Sequence, residues 1–146
     1  MKIKSIISPI GNFNAIYIDS LLAKLDFLDA NDSIYPQDRS LQKSVDKFFS
    51  INEGQQFSKF NLQGTSFQLK VWKALMEIPR GHTEPYGSLA SKIGVPGAAR
   101  AVGTACKMNP IPLFIPCHRA VRQDGSIGEF ALGKKNKKYL LKMESK

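Results

Sequence analysis

Apolar positions set the order of elements along the chain. Ile3, Ile6 and Ile7, then Phe13, Ala15 and Tyr17, alternate around Pro9-Ile10-Gly11-Asn12, which predicts a β-hairpin turning at Gly11-Asn12. Leu41, Val45, Phe48 and Phe49 recur at i, i+4, i+7 and i+8, the spacing of a short amphipathic helix. Polar stretches, Asn31 to Ser40 and Asn52 to Ser58, separate these elements from the rest of the chain. Thr65 and Gln68 have capping-box spacing, and Phe67, Val71, Leu75 and Ile78 form one stripe, widened by Trp72 and Met76, that stops at Pro79-Arg80-Gly81.

A helix-turn-helix pattern comes next. Leu89, Ala90 and Ile93 place a helix over Tyr86 to Ile93, Gly94-Val95-Pro96 makes the turn, and Gly97 to Met108 reads as a second helix. That second helix is slender, because Gly97, Ala98, Ala99, Ala101, Gly103 and Ala105 leave Arg100 as the one long side chain of its first two turns. Recognition helices that read base edges carry several long polar side chains, so this one suits close approach without sequence reading, or tight packing in a core. Leu113-Phe114-Ile115 then reads as a short buried strand or extended segment, and a last amphipathic helix carries Leu140, Leu141 and Met143. The pattern predicts a small α/β unit over residues 1–60, ending in a linker near 52–60, and a mostly α-helical unit over 61–146.

Charge separates the same two units. Residues 1–60 hold seven basic and seven acidic side chains, whereas residues 61–146 hold fourteen and five, which is the whole formal +9. Such an excess points to a polyanionic partner or to a solvated lysine face. The run Lys134-Lys135-Asn136-Lys137-Lys138 reads as the solvated kind. Apolar stretches near Met1 are cut by Lys2, Lys4 and Ser8, so no membrane span or leader is expected, and the protein is expected in the cytoplasm. Two cysteines make no disulfide framework, and a zinc site would need Cys106, Cys117, His82 and His118 together, so neither metal nor cofactor is expected.

The candidate chemistry lies at Pro116-Cys117-His118-Arg119. Prolines and Asn109 before the thiol suggest a fixed, non-repetitive backbone presenting it at the core's edge. A neighbouring imidazole and arginine favour the thiolate, the nucleophilic form, although a buried inert cysteine also fits a lone Cys-His pair.

Ile115-Pro116-Cys117-His118-Arg119-Ala120-Val121 resembles the active-site signature of the O6-alkylguanine-DNA alkyltransferases. The supporting motifs stand in order: Phe67-Gln68 with Val71-Trp72, Ile78-Pro79-x-Gly81, Tyr86-Gly87-x-Leu89-Ala90, Ala99-Arg100-Ala101-Val102-Gly103, Asn109-Pro110-x-Pro112 and Leu140-Leu141-x-x-Glu144. The likeness is continuous from residue 65 to 144 and only general before that. It implies a neutral α/β unit followed by a basic, winged-helix-like catalytic and DNA-binding unit.

It also implies a reaction: a monomer flips an O6-alkylguanine out of duplex DNA and moves the alkyl group irreversibly to its own cysteine, with O4 of thymine as an alternative alkylated atom. Cys117 would be the nucleophile, His118 would take its proton through a water, Glu144 would orient the imidazole, and Asn109 would brace the cysteine segment. Arg100 would fill the gap left by the flipped base, with Tyr86, Gly87, Gln68 and Gln123 along the DNA backbone. Tyr86, Pro112, Phe130, Ala131 and Leu132 would line the base pocket. One position departs from the family: Ala131 stands where a hydrogen-bonding side chain is common, and with Leu132 closing the pocket by an apolar side chain, methyl lesions are the expected substrate. A helix-turn-helix regulator and a Cys-His hydrolase are the competing readings. The first leaves Pro-Cys-His-Arg unused and the second leaves the basic excess unexplained.

Overall fold

The computed structural model describes residues 1–29, 31–50, 59–128 and 130–145, so most of the predicted linker, at 51–58, lies outside the described residues. Two compact units divide between Gln63 and Gly64.

The first unit is a three-stranded antiparallel sheet with one helix. β1 (Lys2–Ile6) pairs with β2 (Asn12–Ile18) as the alternation predicts, with Ile6 opposite Phe13 and both fully buried, but the turn lies at Pro9-Ile10, closed by Gly11 N donating to Ser8 O at 3.2 Å, and not at Gly11-Asn12, because Asn12 already opens β2. A third strand, β3 (Leu21–Asp29), is absent from the sequence pattern and makes β2 the central strand. Its turn, Asp19-Ser20, holds both residues at positive φ, 52° and 65°, the geometry of a two-residue hairpin loop without the usual Asn-Gly. A register shift at Ile16/Tyr17 lets Leu22, Ala23 and Leu25 all reach the core while Lys24 and Asp26 stay outside. Helix α1 (Arg39–Phe48) is capped by Asp38, whose carboxylate accepts from Leu41 N at 3.0 Å and also from the Tyr17 hydroxyl.

The second unit is built on helices, and its order is α2 (Ser66–Met76), β4 (Glu84–Pro85), α3 (Tyr86–Lys92), α4 (Ala99–Lys107), a 3₁₀ turn (Cys117–Arg119), β5 (Ala120–Val121) and α5 (Lys134–Glu144). The α2 capping box forms as predicted, with Gln68 N donating to Thr65 Oγ1 at 3.1 Å and Thr65 N donating to Gln68 Oε1 at 3.0 Å. Gly64 precedes this cap in contact with the Trp72 ring: a Cβ there would lie 2.7 Å from the indole. Trp72 is buried and donates its Nε1–H to Ala105 O at 2.9 Å, which fastens α2 to α4.

Two predicted elements differ. The second helix of the pair begins at Ala99 rather than Gly97, because Gly97 sits at φ 88°, outside helical space. Leu113-Phe114-Ile115 is a turn and not a strand: Leu113 has φ 79°, and Ile115 N donates to Ile111 O at 3.0 Å. The apolar run reflects burial of Leu113 and Ile115 within a coiled segment rather than pairing in a sheet. The short strands β4 and β5 pair in parallel, Glu84 with Ala120 and Pro85 with Val121, and so bring the start of α3 to the residues beyond the 3₁₀ turn.

Replacing Thr65 by Ala removes one half of the capping box and is expected to cost about 1 kcal/mol, whereas Thr65→Ser stays within about 0.5 kcal/mol of the parent. Urea unfolding reads this as a shift in midpoint at constant slope.

Candidate active site and adjacent groove

Cys117 opens the 3₁₀ turn and is 1% exposed. The backbone before it is held by Asn109, whose Nδ2 donates to Ile115 O at 2.7 Å while its Oδ1 accepts from Ile111 N at 2.9 Å. One side chain thus closes both ends of the Ile111–Ile115 turn and fixes the sulfur's approach.

Burial and neighbouring groups act on the Cys117 thiol in opposite directions. Burial dominates and pushes it up to about 11, although a hydrogen bond from the Asn109 side chain and the Lys137 ammonium pull the other way. Cys106 is pushed up further by burial and stays a thiol, consistent with a core-filling role.

The next two residues share one carboxylate. His118 is fully buried, with Nε2 2.9 Å from Glu144 Oε2. Arg119 forks onto the same group, Nε to Oε1 at 2.9 Å and Nη2 to Oε2 at 2.8 Å, and its Nη1 donates to Ile78 O at 2.7 Å. A carboxylate can only accept, so the Nε2 proton of His118 points to Glu144 and Nδ1 is the imidazole's basic nitrogen. Burial lowers the imidazole's proton affinity and outweighs Glu144, while Arg119 and Lys137 push in the same direction as burial. Glu144 keeps its charge: burial works against it, but the hydrogen bonds from His118 and Arg119 win and hold it at about 2. The Phe130 ring packs edge-on against the imidazole at 6.2 Å between centroids.

An open groove of about 910 Å³ runs along α4. It is lined by Tyr86 and Gly87 from α3, by Ala99, Arg100, Gly103, Thr104, Lys107 and Met108, and by Arg122 and Gln123 beyond β5. Four of the five residues expected along DNA, Arg100, Tyr86, Gly87 and Gln123, therefore share one surface. Gln68 does not line it; its side chain is engaged in the α2 cap. Pro112 is buried, Phe130 is buried, Leu132 is half-buried and Ala131 is exposed, and none of the four lines the groove. Among the described residues no group of three or more His, Cys, Asp or Glu is arranged to hold a metal, and no helix is long and apolar enough to cross a membrane.

Two residues have roles that the sequence pattern does not disclose. Arg119, which the pattern presents only as an activator of the thiol, is the main partner of Glu144. Lys137, assigned to a solvated face, is fully buried, donates to Ala120 O at 2.5 Å and lies 3.4 Å from the Tyr86 hydroxyl, with its ammonium 5.6 Å from that ring's centre. A signal for its burial exists: Lys137, Leu140, Leu141 and Glu144 fall at i, i+3, i+4 and i+7, the inward stripe of α5. Tyr86 itself is packed from the other side by Gly128, at φ 67°, where a Cβ would lie 2.8 Å from the hydroxyl.

The chain is similar to known proteins over most of its length. Residues 66–146 match the family model described as 6-O-methylguanine DNA methyltransferase, DNA binding domain. The chain is 37% identical to the methylated-DNA–protein-cysteine methyltransferase of Mycobacterium tuberculosis over 149 residues, covering 97% of this chain and 90% of that protein. It is 40% identical to the protein of the same name from Methanosarcina barkeri over 146 residues, covering 94% and 92%. The crystal structure of M. tuberculosis OGT in complex with DNA superposes with a TM-score of 0.85 at 36% identity, covering 98% of this chain and 92% of that one.

Glu144 has a depressed proton affinity in the folded state, so its stabilising contribution is complete above the ordinary carboxylate value of 4.5 and fades as pH falls towards about 2. Glu144→Gln leaves Arg119 buried without its counter-charge and is expected to lose about 3 kcal/mol or more at pH 7. Denaturant titrations at several pH values should show that deficit narrowing between pH 4.5 and 2 as the parent loses the same ion pair.

Proposed function

Because the chain belongs to the 6-O-methylguanine DNA methyltransferase family, we propose that it repairs DNA directly, moving the methyl group from O6 of guanine to Cys117 in a single, irreversible turnover. The observation that carries this reading is a buried thiol whose next residue, His118, is paired with a buried carboxylate, in the same unit as a groove lined by Tyr86 and Arg100.

The chemistry follows from those constraints. A sulfur that is 1% exposed cannot reach a base stacked in a duplex, so the alkylated guanine must be extruded. The slender face of α4, with Gly103 and Ala99 in the groove wall, lets the helix approach the duplex closely, and Arg100 is long enough to occupy the vacated stack. Tyr86 and Gln123 then hold the strand beside the opened base. The Sγ proton passes to Nδ1 of His118, sulfur attacks the methyl carbon in line, the C–O6 bond breaks, and guanine takes the proton back at N1. A thiol and O6-methylguanine become a thioether and guanine, with no cofactor consumed. Nothing regenerates the thiol, so the protein acts once.

We assign catalysis and DNA binding to residues 61–146 and leave the neutral unit, 1–60, a supporting role. Double-stranded DNA carrying O6-alkylguanine is the partner, the basic excess of the second unit supplies sequence-independent affinity, and the protein acts as a cytoplasmic monomer.

Incubation with a duplex bearing one O6-methylguanine, followed by intact and peptide mass spectrometry, should show one added methyl on Cys117, restored guanine and no second turnover. Tight DNA binding beside an unmodified Cys117 would instead identify a helix-turn-helix binding protein, and repeated turnover a hydrolase. Arg100→Ala should slow duplex repair by about tenfold or more, since unstacking a base costs a few kcal/mol, and should slow reaction with free O6-methylguanine base far less. Equal losses on the two substrates would remove Arg100 from base extrusion.

A further inference from the structure

The basic excess of the second unit is not concentrated where alkyl transfer uses it. Three cationic side chains, Arg100, Lys107 and Arg122, line the groove along α4, whereas α5 carries five lysines and Glu144 as its one acidic residue. Lys137 and Glu144 are buried with Leu140 on the inward stripe of α5. Lys135, Lys138, Tyr139 and Lys142 fall at i, i+3, i+4 and i+7, on the side of the helix away from that stripe, and all four are exposed. Lys134 extends the exposed face to the first residue of α5. None of these residues lines the groove; the inward side of α5 is the one that reaches Tyr86 on the groove wall, through Lys137.

This face is held at a cost to the helix. No acidic residue stands in the first turn of α5 and Gly133 supplies no side-chain cap, so Lys134 and Lys135 meet the positive end of the helix dipole uncompensated. Lys134 and Lys138, then Lys138 and Lys142, repeat like charge at i and i+4. None of the four exposed lysines has an acidic partner among the described residues, whereas Lys92 on α3 is paired with Glu84 at 2.7 Å. A polyanion laid along α5 relieves both penalties. The chemistry suits a nucleic-acid backbone and not a membrane: a helix that lies on a bilayer turns its apolar side outward, whereas Leu140 faces the core and Tyr139 is the one large exposed hydrophobic residue of α5.

We propose that the lysine face of α5 is a second binding surface for duplex DNA: it takes the phosphates of another duplex segment while the groove still holds the first, so the protein passes between segments without dissociating beforehand. This goes beyond alkyl transfer but rests on the groove's being a duplex-binding surface. The contacts are lysine to phosphate and carry no sequence preference.

Stopped-flow displacement tests the proposal. The full chain is loaded with a short, undamaged, fluorescein-labelled duplex and mixed with rising concentrations of the same duplex unlabelled. For the parent, the release rate should rise about threefold or more between about 1 and 50 μM competitor, because the incoming duplex binds α5 before the outgoing one leaves the groove. Lys138→Gln/Lys142→Gln should lose about two-thirds or more of that rise. Lys70→Gln/Lys73→Gln, which removes two exposed lysines from α2 and so has the same net charge, should keep it. Both variants should hold one short duplex within about threefold of the parent's affinity, and transfer methyl from saturating damaged duplex within about twofold of its rate. A parent whose release ignores competitor concentration, or an α5 variant that keeps the parent's dependence, would overturn the second surface. Equal loss in the α2 variant would overturn it in favour of net charge, and acceleration by phosphatidylserine vesicles but not by duplex in favour of a membrane. Failure of the parent to hold the labelled duplex at all would overturn the DNA reading of the groove itself, an outcome distinct from these.

Discussion

The carboxylate of Glu144 is the point on which the second unit turns. It sits at the end of α5, receives Arg119 through two hydrogen bonds and has His118 Nε2 2.9 Å from Oε2, while Arg119 reaches on to the carbonyl of Ile78 just past α2. Chain segments that are far apart in sequence are thereby fixed to one another by charged hydrogen bonds in a dry interior. Such an arrangement is expensive to desolvate, and it is retained because removing either partner leaves a buried charge unpaired. Its geometric effect is that the turn carrying Cys117 cannot shift without breaking the pair.

That rigidity has a chemical counterpart. Burial pushes the Cys117 thiol up, towards its neutral form. The supports that favour its ionised form, the Asn109 side chain and the Lys137 ammonium, are built into the walls instead of being brought by solvent. The opposing influences come from the same packing, in a buried setting where electrostatic interactions are strong.

The groove and the elements around the Cys117 turn are linked through Tyr86. Its ring lies on the groove wall, its hydroxyl meets Lys137, and Gly128 closes over the opposite side with no room for a Cβ. The parallel pairing of β4 and β5 holds this contact, since it ties Pro85, the residue before Tyr86, to Val121, just beyond the 3₁₀ turn.

Local chemistry is legible in the sequence wherever neighbouring residues decide the outcome. The Thr65–Gln68 cap, the stripe of α2, the turn after α3 and the hairpin of β1 and β2 depend on residues within a few positions of each other, and each stands in the structure. Cys117, His118, Glu144 and Asn109 are likewise identifiable, through a resemblance carried by motifs at fixed spacing. Strand β3 escapes the pattern because its turn uses Asp19-Ser20 and a register shift obscures the alternation. The Leu113–Ile115 turn reads as a strand because an apolar run between prolines records burial without recording backbone conformation. Only tertiary structure could decide the charged partnerships: which cations Glu144 serves, and whether Lys137 faces water or the interior. Those depend on desolvation and on partners 17 to 51 residues away, and neither quantity is present in a one-dimensional pattern.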